Sequence, residues 1–309
     1  MSRGDRILST GSEGKGDRAL TEPSHMARGG IPIAKRILGP FAILWILLLL
    51  PGLSAAGDLR LTVHSAILMD MTTGRILLAH NADDPLQPAS ITKVLSLYLA
   101  DEAIRDGKVH PTDPVKISQK AGRTGGSKMF LQAGSEIPLA ELLKGMAVVS
   151  ANDASVAVAE YIGGNVEDFV KQMNGKAREL GMSRSFFKNP NGLPARGQFT
   201  TARDILILAC DYLRRFPESL DLHSQQYYTY RDITHRNQNS LLRHYPNADG
   251  LKTGWVVKAG YHIVATAKRG NTRLIAVVMG AKTPAIRARE TEKLLDEGFM
   301  MVRQDLRQG

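Results

Sequence analysis

Ser90 and Lys93 stand three residues apart in the run PASITKVLS. A serine hydroxyl is a weak nucleophile at neutral pH and needs a base within hydrogen-bonding reach. On a helix, residues i and i+3 share a face, so the ammonium group of the lysine could meet the hydroxyl of the serine. Because Ser-x-x-Lys is a common pattern, a capping serine followed by a solvated lysine explains the pair better when it is taken alone.

A lysine acts as a base only if burial or a second cation lowers its pKa. The sequence offers a second cation in Lys252-Thr253-Gly254, which opens a β-rich run. At a strand edge, Lys252 would present an ammonium, Thr253 a hydroxyl, and Gly254 would leave room for a substrate backbone. These three residues therefore supply a group that a lysine base requires, although a polar strand start is their ordinary explanation.

A third short pattern, Ser150-Ala151-Asn152, connects two predicted helices. Ser150 offers a hydroxyl that can relay a proton, and Asn152 offers an amide that can hold a substrate carbonyl, although helix capping is again the ordinary explanation. The three patterns occur in the order SxxK, SxN and KTG. Together they form the signature of the serine β-lactamase and penicillin-binding protein superfamily.

Hydrophobic patterning indicates the elements that must position these groups. Two β-rich runs separated by MTTG predict a hairpin that begins near residue 61, and an apolar stretch over 91–103 predicts a helix. Further helices are predicted over 138–148 and 153–162, and after Asn165 and Thr201; two or three strands and an amphipathic helix follow residue 250. Strands at both ends around a helical middle predict an α+β protein, in which the terminal strands share one antiparallel sheet.

Composition narrows the function classes. The formal net charge is +10, but lysines and arginines are dispersed rather than clustered, so no nucleic-acid partner is expected. The single cysteine, Cys210, lies in an apolar run, and the eight histidines form no His-x-x-x-His pair. We therefore expect no metal and no cofactor, and the glycine-rich stretches lack the order of a phosphate-binding loop.

Residues 37–50 form an uncharged apolar run after Lys35 and Arg36, and small residues follow at 54–56. This pattern is typical of a signal peptide and predicts export, to the periplasm or the outer face of the cytoplasmic membrane. An uncleaved membrane anchor extending through residue 56 is the alternative. The sequence thus predicts a leader over 1–56, one domain over 57–309, no C-terminal β domain, and possible membrane association through 37–56.

The resemblance goes beyond the three motifs. The runs GGSKMFLQAG, SANDASVAVAEYIGG and DGLKTGWVVKAGYHIVATAKRGNTRLIAVVMGAKT, among others between roughly 61 and 300, resemble the D-alanyl-D-alanine carboxypeptidases among the low-molecular-mass penicillin-binding proteins. The resemblance implies a β-lactamase/transpeptidase-like fold, with a five-stranded antiparallel sheet flanked by helices and a helical lobe. It also implies a serine peptidase that removes the terminal D-Ala from peptidoglycan pentapeptides and that β-lactams inhibit covalently.

Carried over by position, the resemblance makes Ser90 the acylated nucleophile, Lys93 its base and Ser150 the proton relay. It makes Asn152 and the residues of the KTG strand the substrate-binding groups. Lys252 would lower the pKa of Lys93 and attract the terminal carboxylate with Thr253 beside it, and the backbone N–H groups of Ser90 and Trp255 would form the oxyanion hole. The loop at 125–127 would form a mobile rim of the cleft.

Two positions depart from the family pattern. Trp255 stands after the KTG motif, where a smaller or polar residue is expected, so substrate fit beyond the scissile bond should differ. Gln238 stands in Asn237-Gln238-Asn239 where some relatives have an arginine. Recognition of the substrate carboxylate should therefore be weaker or differently built.

Three other functions share part of this pattern. A class A β-lactamase needs a glutamate-activated water, and no Glu between Asn152 and Lys252 is followed four positions later by Asn. A DD-endopeptidase that cleaves peptidoglycan cross-links uses the same acyl-enzyme chemistry and stays open. A non-catalytic module that senses β-lactams or binds the cell wall is disfavoured because every polar group of the motifs is present.

Overall fold

The computed structural model describes residues 60–308, and these residues belong to one compact unit. The predicted leader, including the signal peptide or anchor at 37–56, lies outside the described residues. Within the described part of the chain, no helix combines the length and apolar character that crossing a membrane requires.

The centre of the fold is a five-stranded antiparallel sheet with strand order β2-β1-β9-β8-β7. The strands of this sheet are β1 (Ser65–Asp70), β2 (Arg75–His80), β7 (Ala248–Val256), β8 (Gly260–Arg269) and β9 (Thr272–Ala281). Strands from both ends of the described part of the chain thus share one antiparallel sheet, as the sequence predicts. The MTTG turn joins β1 to β2, and the run KRGNTR turns between β8 and β9.

Both faces of this sheet are covered. Side chains alternate across a strand, so Val277 of β9 packs into the core of the helical lobe while Val278 packs against the C-terminal helix. That double covering explains why the central strand reads as a nearly continuous apolar run, without the polar alternation of a half-exposed strand.

The remaining elements form the helical lobe and the C-terminal layer. Their bounds are α1 (Lys93–Arg105), β3 (Pro114–Lys116), α2 (Gln119–Arg123), β4 (Glu136–Pro138), α3 (Leu139–Lys144), α4 (Asn152–Gly163), α5 (Val166–Glu179), α6 (Ala202–Arg215), α7 (Ser219–His223), β5 (Tyr227–Tyr230), β6 (Ile233–Arg236), α8 (Leu241–His244) and α9 (Pro284–Gln308). Helices α5 and α6 begin where Asn165 and Thr201 cap them, each accepting a hydrogen bond from a backbone N–H of the first turn.

Two helices differ from the predicted bounds. The helix predicted over 138–148 is α-helical only to Lys144 and continues as a π-helical turn over Gly145–Val149. The helix predicted over 91–103 begins as a 3-10 turn over Ala89–Thr92 and becomes α-helical only at Lys93. Hydrophobic periodicity does not distinguish these tighter or wider turns from an α-helix over so few residues.

Candidate active site

Ser90 lies in the 3-10 turn just before α1, and Lys93 is the first residue of that helix. The Lys93 Nζ atom donates a hydrogen bond of 3.1 Å to Ser90 Oγ. The two polar heads therefore meet, as the i, i+3 spacing predicts. When Lys93 is neutral, the direction of this bond can reverse and the serine hydroxyl can donate its proton to the amine.

Lys93 is fully buried although it is a lysine. Its Nζ also donates to Asn152 Oδ1 and to the Asn191 carbonyl, both at 2.7 Å. Burial, followed by the positive charge of Lys252, holds the pKa of Lys93 well below its ordinary value of 10.5, while the Asp153 carboxylate acts in the opposite direction. Lys93 thus has both features that lower the pKa of a lysine base, namely burial and a second cation nearby.

Asn152 begins α4 and joins Lys93 to the glycine-rich loop. Its Nδ2 donates to the Gly125 carbonyl at 2.7 Å, and its backbone N–H donates to the Ser127 carbonyl. A Cβ on Gly126 would lie 2.5 Å from Asn152 Nδ2, so only glycine allows this approach. The amide predicted to hold a substrate is therefore already bonded to the protein at both of its polar atoms.

The neighbouring Asp153 holds the rest of this loop. Its carboxylate accepts backbone hydrogen bonds from Met129 and Leu131, each at 3.1 Å, and the aspartate is completely buried. A buried carboxylate with several amide donors is well satisfied, so it fixes the loop against α4. The rim predicted at 125–127 is held separately, by the hydrogen bonds of Asn152 to the Gly125 and Ser127 carbonyls.

Ser150 ends the π-helical turn with a left-handed backbone, at a φ of 64°. A residue other than glycine pays for this conformation with strain, and such residues concentrate at functional sites. Ser150 is nearly buried and lines the same cavity as Ser90. The hydroxyl predicted to relay a proton therefore borders the same cavity as Ser90, the predicted nucleophile.

Strand β7 carries the KTG residues along the edge of the sheet. Lys252 is 2% exposed, and burial followed by the charge of Arg287 lowers its pKa from 10.5 to about 7. The strand is supported from behind, because Asn239 Nδ2 donates to the Gly250 carbonyl and His223 Nδ1 lies 3.1 Å from the Leu251 carbonyl.

Gly254 lies against the turn that carries Ser90. A Cβ at this position would lie 3.0 Å from Ala89 Cβ and 3.1 Å from the Ser90 backbone nitrogen. The missing side chain therefore lets β7 pack against the turn that carries Ser90. Gly254 also lines the cavity of Ser90, and its predicted role in leaving room for a substrate backbone stays a prediction.

A cavity of about 300 Å³ opens above these groups. Its lining brings together Ser90, Ser150, Thr253, Gly254 and Trp255. Lys93, Asn152 and Lys252 lie beneath this surface as buried groups. The predicted residues thus lie at one cavity. Some of them line it, and the others are buried beneath its lining.

Trp255, one of the two departures, forms part of the cavity wall. It is 53% exposed and stacks on Tyr261, with ring centroids 5.7 Å apart. The two residues are paired across β7 and β8, an arrangement that holds large rings side by side. A rigid aromatic wall therefore borders the site on the strand side.

Arg287 lines the same cavity and is a residue that the sequence reasoning missed. Thr283 caps α9, Pro284 occupies the first helical position, and Arg287 lies in the first turn. The arginine is 6% exposed, and its Nη2 donates to the Gln238 carbonyl at 3.2 Å. Its Nε atom is buried and has no hydrogen-bond partner among residues 60–308. Burial lowers the pKa of this guanidinium to about 10, so it remains a cation at neutral pH.

Gln238 stands where some relatives have an arginine, and Arg287 supplies a guanidinium to the same cavity. A guanidinium with an unpaired donor in a polar cavity is suited to a carboxylate, and the backbone of Gln238 orients it. The helical spacing could have predicted that Arg287 faces inward. It lies seven and eight residues before the buried Leu294 and Leu295, and therefore on the inward face of α9. Within residues 60–308 no cluster of His, Cys, Asp and Glu could hold a metal.

Comparisons with known proteins agree with this architecture. The family model described as D-alanyl-D-alanine carboxypeptidase matches residues 53–283. The carboxypeptidase DacF of Bacillus subtilis is 41% identical over 278 residues, which cover 86% of this chain and 71% of that protein. The chain spans between 60% and 71% of the length of the first curated relatives that it matches.

Solved structures show the same fold. Penicillin-binding protein 5 of Haemophilus influenzae superposes with a TM-score of 0.76 at 41% identity, over 78% of this chain and 72% of that one. Penicillin-binding protein D2 of Listeria monocytogenes, determined in an ampicillin-bound form, superposes with a TM-score of 0.72 at 29% identity, over 79% of this chain and 99% of that one. The predicted β-lactamase/transpeptidase-like fold is confirmed, and the chain belongs to the D-alanyl-D-alanine carboxypeptidase family of low-molecular-mass penicillin-binding proteins.

Proposed function

We propose that this protein is a serine-type D-alanyl-D-alanine carboxypeptidase that trims the terminal D-Ala of peptidoglycan stem peptides through an acyl-enzyme on Ser90. The observation that carries the proposal is the hydrogen bond between Ser90 Oγ and a fully buried Lys93 at the floor of a cavity that also holds Arg287. These contacts support the assignment of a nucleophile, a base and a carboxylate partner to one site.

The chemistry follows from these positions. Neutral Lys93 accepts the proton of Ser90 as Oγ attacks the carbonyl carbon of the penultimate D-Ala. The C–N bond then breaks, and the amine of the departing D-Ala receives a proton, with Ser150 as the relay. Water attacks the resulting ester, releases the shortened peptide and restores the serine.

Substrate binding divides between the two cations. Arg287 and Thr253 are suited to the terminal carboxylate, because both line the cavity and the guanidinium retains a free donor. Lys252 acts mainly through its charge and not by direct contact, since its Nζ is buried and donates a hydrogen bond of 3.0 Å to the Thr253 carbonyl. Its charge lowers the pKa of Lys93 and adds positive potential where the carboxylate binds.

A fluorescent penicillin tests this function together with release of D-Ala from a pentapeptide. We expect covalent labelling of the wild type and loss of both labelling and D-Ala release in Ser90→Ala. Labelling that survives this substitution would contradict the assignment of Ser90 as the nucleophile. Absence of labelling in the folded wild type instead favours the non-catalytic sensing or wall-binding module.

The proposal extends to the placement of the protein. Residues 57–309 would form the peptidase domain, and the apolar run at 37–50 would direct export to the periplasm or the outer face of the cytoplasmic membrane. Fractionation and N-terminal sequencing of the expressed full chain test this. A mature N-terminus near residue 57 supports a cleaved signal peptide, whereas an intact leader in the membrane fraction supports an anchor.

A further inference from the structure

A cavity of about 670 Å³ lies apart from the catalytic one. It is lined by residues of α5 and of the segment 182–199, which leads to α6, and its lining has no residue in common with that of the cavity of Ser90. A volume of this size is within the range of cavities that enclose a ligand. The proposed acyl-enzyme chemistry uses none of its lining residues.

One part of the lining is apolar. Phe186 and Phe199 face each other in an antiparallel bridge, and the backbone N–H of each donates to the carbonyl of the other, at 2.9 and 3.0 Å. Residues paired in this way have their side chains on the same face. The two rings are 38% and 39% exposed, and the buried Met182 also lines the cavity. The cavity thus offers an apolar surface for a large side chain.

The other part of the lining is cationic. Arg178, Lys188 and Arg196 line the cavity and are exposed, and its lining in the described part of the chain includes no Asp or Glu. None of the three has a carboxylate partner among residues 60–308. The Lys188 ammonium instead lies 4.6 Å from the centroid of the Phe186 ring, a cation–π contact that holds the charge at the cavity wall.

The acidic residues nearest to this lining in the sequence are already bound elsewhere. Glu179 follows Arg178, but its carboxylate is paired with Lys176 at 2.7 Å. Asp204 is buried and accepts a hydrogen bond of 2.6 Å from Ser185 Oγ. The cavity therefore collects three positive charges that the neighbouring carboxylates leave uncompensated.

The wall of the cavity is held in place by buried amide side chains. Asn174 of α5 donates to the Phe187 carbonyl and accepts from the Phe187 backbone N–H, both at 2.8 Å. Gln198 Oε1 accepts the backbone N–H of Lys188 at 2.9 Å. A site that is fixed before a ligand arrives loses little conformational entropy on binding, which favours affinity.

The two parts of the lining together select a kind of occupant. The planar donors of Arg178 and Arg196 are suited to carboxylates, and the rings of Phe186 and Phe199 are suited to a large apolar side chain. A polymer of phosphates has the charge but no such side chain, and the alanines of a wall stem peptide have only methyl groups. A bilayer receives protruding apolar side chains, whereas these rings line a concave wall. An acidic polypeptide segment with an apolar anchor supplies both features.

We propose that this cavity binds an acidic segment of a partner protein, with a large apolar side chain of that segment against Phe186 and Phe199 and its carboxylates on Arg178 and Arg196. The inference goes beyond the proposed peptidase function and does not depend on it, because Ser90 lies outside the cavity. Binding is non-covalent and requires no co-reactant.

The test uses a fluorescent hexapeptide with four acidic residues around a central leucine and phenylalanine, titrated with the purified full chain. We expect Arg178→Gln/Arg196→Gln to raise the Kd of this peptide about tenfold, as expected for two exposed charge-assisted contacts. Phe199→Ser should raise it about threefold to tenfold through the loss of apolar contact. Two further peptides, one with the acids replaced by amides and one with two serines at the centre, should each bind more weakly than the first.

Matched controls separate this site from general charge and from catalysis. Arg214→Gln/Arg303→Gln removes the same charge from two exposed arginines outside the cavity, and it should leave the Kd unchanged. Ser90→Ala should bind the peptide as the wild type does, even though it cannot form an acyl-enzyme. Thermal unfolding followed by circular dichroism checks that each variant is folded.

Several outcomes overturn the inference. A wild type that does not bind the acidic peptide, or that binds its amide form equally well, has no site of this kind. Equal weakening in both arginine pairs would mean that only the overall charge attracts the peptide. If vesicles of phosphatidylglycerol and phosphatidylcholine, or a pentapeptide ending in D-Ala-D-Ala, bind more tightly than the acidic peptide and require Arg178 and Arg196, the occupant is a membrane or the wall instead. Loss of penicillin labelling with intact peptide binding would contradict the proposed function alone.

Discussion

At the scale of single residues, the chemistry depends on cations placed where water is excluded. Burial and a neighbouring ammonium oppose the protonation of Lys93, which suits the base that we propose. One donor of Arg287 has no partner among residues 60–308, which suits the carboxylate receptor that we propose. Both properties can be tested by changing one group while the fold is kept.

We expect the main effect of Arg287→Gln to be weaker recognition of a substrate carboxylate. The loss of a charge-assisted hydrogen bond should lower kcat/KM for a substrate ending in D-Ala-D-Ala about 10-fold to 100-fold. A substrate ending in D-Ala-D-alaninamide has no terminal carboxylate, so the variant and the wild type should cleave it at similar rates. An equal loss on both substrates would show that Arg287 supports the structure of the site instead.

We expect Lys252→Met to shift the pH dependence of acylation. Because the charge of Lys252 is one cause of the lowered pKa of Lys93, its removal should raise that pKa. Lys93 must be neutral to act as a base, so the acidic limb of the rate of penicillin labelling should move to higher pH. Lys258→Met, which removes an exposed lysine beyond β7, should leave the limb in place.

At the scale of elements, the site forms where two segments that are distant in sequence pack together. The 3-10 turn before α1 carries Ser90, and β7 approaches it closely because residue 254 lacks a side chain. The glycine-rich loop is held to α4 by Asp153, and Arg287 enters the site because α9 starts where it does. The elements therefore decide which polar groups come together.

We expect Gly254→Ala to separate β7 from the turn of the nucleophile. A Cβ 3.0–3.2 Å from Ala89 and from two backbone nitrogens forces a shift of a few tenths of an ångström. Penicillin labelling should slow about tenfold or more, with a fall in stability of about 1–3 kcal/mol. Gly175→Ala is the matched control, because a Cβ there meets nothing within 4 Å and alanine favours the helix.

At the scale of the whole molecule, the buried lysines make stability depend on pH. Lys252 has a pKa of about 7 in the folded protein and about 10.4 in the unfolded chain. Between these values the unfolded state binds more protons, so stability rises with pH through this range. Buried tyrosines oppose the trend at higher pH, since burial raises the pKa of Tyr212 in the folded state.

We therefore expect the free energy of unfolding of the wild type to increase from pH 7 to pH 9. Lys252→Met should be more stable than the wild type at pH 7, by about 2–4 kcal/mol, because it removes the cost of burying an amine that would otherwise be charged. The difference should narrow at pH 9. Urea unfolding at pH 7 and at pH 9 measures the difference in stability between the two proteins. A difference that is the same at both pH values would contradict the lowered pKa of Lys252.

Much of this protein could be read from its amino-acid sequence. The hairpin of β1 and β2, the helices capped by Asn165 and Thr201, the strands after residue 250 and the amphipathic α9 all follow from local patterns. The order of the three motifs also identified Ser90, Lys93, Ser150 and the KTG strand as one site. These features are encoded locally, in residue type and spacing.

Only the tertiary structure decided how those groups act. Periodicity could indicate that Arg287 faces inward, but not that its guanidinium reaches the cavity of Ser90. The contact of Gly254 with the nucleophile turn joins residues more than 160 positions apart. Burial and Coulomb interactions depend on distances through space, so the lowered pKa of Lys93 exists only once the sheet and the helical lobe have packed together.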